Sequence, residues 1–140
     1  MNIPLPSALQ SASDRSRFSW LMLRLMLAAL IAVHGWARLI ADGVDPFGAF
    51  LNTQGFPLGL VLAYAITATE IVGSLLFAAG RLVTPLAVLY ASIYAMGIVL
   101  VHAKAGWFVV GLGRNGSEYS VLLIVCLLCV GLQHVKSRGT

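Results

Sequence analysis

Apolar residues form four long runs along the chain, and shorter polar segments separate them. The runs cover about residues 20–41, 58–79, 84–102 and 119–135. About 20 apolar residues are enough for a helix to cross the hydrocarbon of a bilayer. The pattern therefore predicts an all-α membrane domain over residues 20–135, built as a bundle of four transmembrane helices.

The composition favours a membrane protein over a soluble one. Of the 140 residues, 59% are hydrophobic and 10% are charged, whereas about 25% of the residues of a soluble domain are charged. The net charge of +4 would suggest nucleic-acid binding in a soluble protein, but here the basic residues flank the apolar runs. We therefore expect a lipid bilayer around the chain, and no nucleic acid.

The basic residues also predict the orientation. Residues 1–19 have the composition of a disordered tail, and the run after them is too long for a signal peptide and contains Arg24. The side that carries more Lys and Arg faces the cytoplasm, so both termini are predicted to be cytoplasmic, in the inner membrane of a bacterium. The richer side has Arg15, Arg17, Arg24, Arg81, Lys136 and Arg138, and the other side has Arg38, Lys104 and Arg114.

Glu70 lies near the middle of the second run. A charged side chain at that depth costs at least about 3 kcal/mol on insertion scales, so it needs a partner or a function. The first span ends and the second begins at the same outer surface, so Glu70 lies about 18 Å and Arg24 about 24 Å below that surface, and the guanidinium can cover the ~6 Å gap to form an ion pair with Glu70. Such a buried polar core either fixes helix packing, or carries protons or contacts a bound head group.

A second group of polar and aromatic residues is expected near the outer surface. His34, His102 and Glu118 are candidates for proton handling, because imidazole and carboxylate groups exchange protons near neutral pH. Binding candidates for a quinone ring and its oxygens are Arg38, Tyr90, Tyr94 and Trp107. The alternative is that the basic side chains snorkel, Glu118 caps a helix and the histidines satisfy local hydrogen bonds.

The remaining segments carry less chemistry. Residues 42–57 are predicted to be an interfacial loop, because Gly, Pro, Asp and Asn interrupt them. Cys126 and Cys129 lie deep in the fourth run, where apolar filling is more typical than thiol chemistry. No metal site is expected, because the His and Glu residues lie at different depths.

Four short patterns resemble the DoxX family of small four-helix membrane proteins, and together they extend over roughly residues 21–131. They are Arg24 ten residues before His34-Gly35 with Arg38 following, Glu70-Ile71-Val72-Gly73 followed by Gly80, His102 before Trp107-Phe108, and Gly116-x-Glu118-Tyr119.

The resemblance implies quinone- or sulfur/thiol-linked redox chemistry, because the family takes its name from a subunit of a thiosulfate:quinone oxidoreductase. Quinone is then the expected cofactor, with no metal or nucleotide, and a partner redox protein or a homo-oligomer is expected. Two alternatives stay open: a non-catalytic membrane scaffold for a partner oxidoreductase, and a transporter of protons or small solutes.

Overall fold

The computed structural model describes residues 10–111 and 113–135, and this part of the chain is helical without strands. The helices are α1 (Ala12–Ile40), α2 (Val44–Thr53), α3 (Gly59–Ala78), α4 (Val83–Ala105) and α5 (Glu118–Gln133). The predicted all-α class is thus confirmed for the described residues. By length and composition α1, α3 and α4 can each cross a membrane, and α5 is a shorter apolar helix.

The first helix begins well before the first apolar run. Ser11 accepts a hydrogen bond from the backbone N–H of Asp14, and Asp14 places a negative charge in the first turn, both of which stabilise a helix start. Residues 12–19, predicted to be disordered, are therefore helical. Residues 1–9 of the predicted tail and the topology residues Lys136 and Arg138 lie outside the described residues.

The segment predicted to be a loop at residues 42–57 contains α2 instead. This helix packs mainly on α3, burying Val44, Gly48 and Leu51. The side-chain oxygen of Asn52 accepts a hydrogen bond from the backbone N–H of Gly59 at 2.9 Å, so the end of α2 holds the start of α3. The loop prediction was wrong because these contacts outweigh the local preferences of Gly, Pro and Asp.

The main core lies toward the end of the bundle where α3 ends and α4 begins. Leu27 and Ile31 of α1 pack there with Phe77 of α3, Tyr90 of α4 and Leu127 of α5, and these residues are almost fully buried. The Thr84 hydroxyl donates to the Gly131 carbonyl at 2.9 Å and joins α4 to α5. Many large apolar side chains point outward, as expected where lipid replaces water.

Candidate functional site

Glu70 lies in a π-helical turn of α3, Thr69–Gly73, where the regular helix widens. Such turns occur frequently at functional sites. The Glu70 side chain is only 4% exposed, and its Oε2 accepts a hydrogen bond from Nη1 of Arg38 at 2.6 Å. The intramembrane carboxylate therefore has a basic partner on α1, and this partner is Arg38.

Three groups hold the Arg38 guanidinium in place. Besides Glu70, Nη1 of Arg38 donates to Oγ1 of Thr67 at 3.0 Å, and the guanidinium carbon lies 4.6 Å from the centre of the Phe47 ring. Thr67 in turn donates to the Ala63 carbonyl at 2.7 Å. A cation over an aromatic face is stabilised by the ring quadrupole, so α1, α2 and α3 together fix the position of this charge.

The predicted pairing of Arg24 with Glu70 is wrong. Arg24 comes 14 residues before Arg38 on α1, about 21 Å along the axis, and its Nη1 lies 2.8 Å from Nε2 of His134 at the end of α5. The error came from placing the end of α1 and the start of α3 at one level. Gly35, near the end of α1, is level with Glu70, since a Cβ at position 35 would lie 2.9 Å from the Glu70 Cβ.

A cavity of about 580 Å³ adjoins the Arg38–Glu70 pair. It separates α1, α2 and α3 from the C-terminal half of α4 and the segment that follows it. Its wall is largely apolar and includes Phe47, Phe50, Leu51, Phe56, Leu62, Ile66, Ile93, Met96, Leu100 and Val101. Size and lining are typical of pockets for small apolar ligands with a few polar groups that orient them.

The cavity brings together five of the residues that the sequence singled out. They are His34, Arg38, Glu70, Tyr94 and His102. The rings of His34 and Tyr94 meet edge to face, with centres 6.2 Å apart. Among the described residues, the buried Tyr94 hydroxyl has no hydrogen-bond partner.

Both histidines of the cavity are anchored through the same ring atom. Nδ1 of His34 lies 2.8 Å from the Leu30 carbonyl oxygen, one turn earlier on α1. Nδ1 of His102 lies 2.8 Å from the Asn115 carbonyl oxygen, across the segment that joins α4 to α5. His102 belongs to a second π-helical turn, Ile98–His102. Each imidazole is thus held in one orientation and keeps its Nε2 atom for another contact.

Three candidates lie outside this cavity. Tyr90 is fully buried in the core, and its hydroxyl donates to the Thr69 carbonyl at 2.9 Å, in the widened turn of α3. Trp107 is 54% exposed. Oε1 of Glu118 accepts a hydrogen bond from the backbone N–H of Val109 at 2.8 Å, so this carboxylate orders the segment before α5.

Sequence reasoning missed the aromatic wall from α2 and the role of Thr67 as an Arg38 partner. A signal for α2 was present, because Val44, Phe47 and Leu51 recur at helical spacing.

Cys126 packs against the main core and Cys129 is exposed, both as free thiols. Among residues 10–111 and 113–135, no group of three or more His, Cys, Asp or Glu side chains is placed to hold a metal.

The model of one protein family, DoxX, matches residues 19–103, which is more than half of the chain. The chain belongs to the DoxX family. No curated protein and no solved structure matches it. In this DoxX protein the matched region contains Arg38, Glu70, Tyr94 and His102, whereas α5 follows it. Family membership and the long apolar helices together identify a multi-pass integral membrane protein.

Proposed function

We propose that this DoxX protein is a membrane subunit of quinone- or sulfur/thiol-linked redox chemistry, and that its cavity binds a quinone. One observation carries the proposal: an apolar cavity of about 580 Å³ is lined by Arg38 and by Tyr94, whose buried hydroxyl has no partner among the described residues. A quinone ring needs apolar walls and hydrogen-bond donors for its two oxygens. Both are available within this cavity.

Each polar residue has a role in this proposal. Arg38 and Tyr94 bind oxygens of the quinone, and Glu70 holds Arg38 in position. Reduction consumes two electrons and two protons per quinone, and His34 and His102 exchange the protons at the cavity wall. The electrons come from a partner oxidoreductase of the thiosulfate:quinone type, which binds this subunit directly or a homo-oligomer of it.

The proposal includes a topology of four spans with both termini in the cytoplasm of a bacterium. The 16 residues of α5 extend about 24 Å, shorter than the ~30 Å hydrocarbon core, so α5 spans with its polar flanks near the surfaces. Arg24, Gly80 and His134 lie together at one end of the bundle, consistent with antiparallel spans. A reporter that is active only in the cytoplasm should therefore be active when it is fused to the C-terminus.

The binding proposal is tested on protein purified from a bacterial membrane. We expect organic extraction to release a quinone, and added decylubiquinone to raise the melting temperature. Tyr94→Phe and His102→Ala should each reduce this shift. Tyr64→Phe is the matched control, because Tyr64 is exposed and is absent from the cavity wall.

Absence of extracted quinone together with an unchanged melting temperature would refute the proposal. Co-purification of a partner protein that is unaffected by His102→Ala would then support the scaffold alternative.

A further inference from the structure

The unpartnered hydrogen-bonding atoms of the cavity indicate whether it prefers the reduced or the oxidised form of its ligand. We infer that this site, if it binds a quinone as proposed above, binds the reduced hydroquinone more tightly than the oxidised quinone. The difference between the two forms is simple. Both oxygens of a hydroquinone carry a hydrogen that can be donated, whereas the carbonyl oxygens of a quinone only accept hydrogen bonds.

The two cavity histidines present acceptors. A backbone carbonyl oxygen can only accept, so Nδ1 of His34 carries the proton that is donated to Leu30, and Nδ1 of His102 carries the one donated to Asn115. In a neutral imidazole the other nitrogen is then an acceptor. Among the described residues, neither Nε2 has a hydrogen-bond donor, and both rings line the cavity.

Two further groups add acceptor capacity. The Ser92 hydroxyl donates its hydrogen to the Val88 carbonyl at 2.9 Å, which leaves the lone pairs of its oxygen at the cavity wall. The Glu70 carboxylate is an acceptor by nature, although Arg38 already donates to one of its oxygens. A ligand that only accepts hydrogen bonds gains nothing from these four groups.

The donors in the cavity do not reverse this preference. Arg38 and the Tyr94 hydroxyl can donate to a carbonyl oxygen or to a hydroxyl oxygen, so they bind both forms. Asn115, Tyr119 and Ser120 also line the cavity, and each can donate or accept. The imidazole acceptors therefore decide between the forms. A site built to bind a hydroxyl hydrogen discriminates against an analogue without it, because its own acceptor is left unpaired.

The test measures the binding of three related probes to the purified full chain in lipid nanodiscs, at pH 8 and without oxygen. The probes are decylubiquinol, decylubiquinone and the dimethyl ether of decylubiquinol, which keeps the two oxygens and lacks their hydrogens. We expect decylubiquinol to bind about tenfold more tightly than decylubiquinone, the factor expected from one or two neutral hydrogen bonds. The dimethyl ether should bind no more tightly than the quinone.

Two variants locate the preference. His34→Phe and His102→Phe should each reduce the ratio of quinol to quinone affinity, whereas His134→Phe should leave it unchanged, because Nε2 of His134 already faces Arg24 at the other end of the bundle. Equal affinities of wild type for quinol and quinone, or tighter binding of the quinone, would overturn the inference and leave the proposed function intact. Failure of all three probes to bind would refute the proposed function itself.

Discussion

Tyr90 and Tyr94 lie one turn apart on α4, and their surroundings distinguish a closed half of the bundle from an open one. The closed half is the main core, where Tyr90 is fully buried and its hydroxyl is bonded to the backbone of α3. The open half contains the cavity, where the Tyr94 hydroxyl has no partner among the described residues. The same side chain is thus hydrogen-bonded to the backbone in one half and has no partner among the described residues in the other.

The two arginines of α1 show the same contrast. Arg24 contacts His134 beside the closed core, where α3, α4 and α5 converge. Arg38 contacts Glu70 beside the cavity. Each guanidinium has a partner, as a polar side chain within a membrane requires, but Nε of Arg24 is buried with no hydrogen-bond partner among the described residues. A buried charge by itself therefore does not distinguish the two halves; the cavity next to Arg38 does.

The largest expected effect follows from removing the carboxylate. Glu70→Ala leaves the Arg38 guanidinium without its anion, and Arg38 is only 20% exposed. We expect a loss of about 3 kcal/mol in the free energy of unfolding, measured by reversible denaturation in bicelles. Replacing both partners, as in Glu70→Leu with Arg38→Met, should recover most of it. Asp45→Asn is the exposed control. If it lowers the free energy of unfolding as much as Glu70→Ala does, Glu70 is not the anion that stabilises Arg38.

The second prediction compares one added methyl group in each half. A Cβ at Gly73 would overlap the Tyr90 hydroxyl, whereas a Cβ at Gly97 would lie 4.0 Å from its nearest neighbour, in His102. Gly73→Ala should cost about 2 kcal/mol by overpacking, and Gly97→Ala should be neutral or stabilise by up to about 1 kcal/mol. Tyr90→Phe added to Gly73→Ala should relieve part of the loss. Equal costs at the two glycines would abolish the distinction between the halves.

The third prediction concerns the hydroxyl groups of Tyr90 and Tyr94, each of which is removed by substitution with Phe. Tyr90→Phe leaves the Thr69 carbonyl in the widened turn without its donor, which should cost about 1 kcal/mol. Tyr94→Phe removes a group with no partner among the described residues, so it should leave stability unchanged or raise it slightly. Unfolding free energies and quinone-induced melting shifts are measured together. Only Tyr94→Phe should reduce the melting shift, and the reverse result would exchange the roles of the two tyrosines.

The smallest effect is expected at the contact between Arg24 and His134, at the end of the bundle away from the cavity. His134→Leu removes the contact with Arg24, which is partly buried, and water can replace some of it. We expect a loss of about 0.5 kcal/mol and no change in quinone affinity. A change in affinity measured by titration would mean that the two ends are coupled, and the comparison of two independent halves would need revision.

Much of the fold could be predicted because hydropathy is decisive in a chain that is 59% hydrophobic. The predicted runs at 58–79, 84–102 and 119–135 correspond to α3, α4 and α5. The helix α2 was missed because local breakers such as Gly48 and Pro46 outweighed its apolar spacing. Because α2 was missed, the end of α1 was predicted to lie level with the start of α3. The predicted partner of Glu70 then became Arg24 instead of Arg38.

The candidate site could be predicted only in part, because residue type does not tell which side of a helix faces open space. Of the predicted outer group, His34, Tyr94 and His102 line the cavity, whereas Glu118 and Trp107 do not. Tyr90, at i−4 from Tyr94, is nearly on the same face, yet Gly73 of α3 comes close to its hydroxyl and closes the space. Such differences depend on neighbouring helices and not on the pattern within α4.

The most direct test of the account is photolabelling with an azidoquinone in native membranes, followed by mass spectrometry of the labelled peptides. We expect the label on the wall of the cavity, in residues 92–102 of α4 and in Phe47, Phe50 or Phe56. Excess decylubiquinone should remove it. Labelling spread over lipid-facing residues of all helices, undiminished by decylubiquinone, would contradict the claim that this cavity is a quinone site.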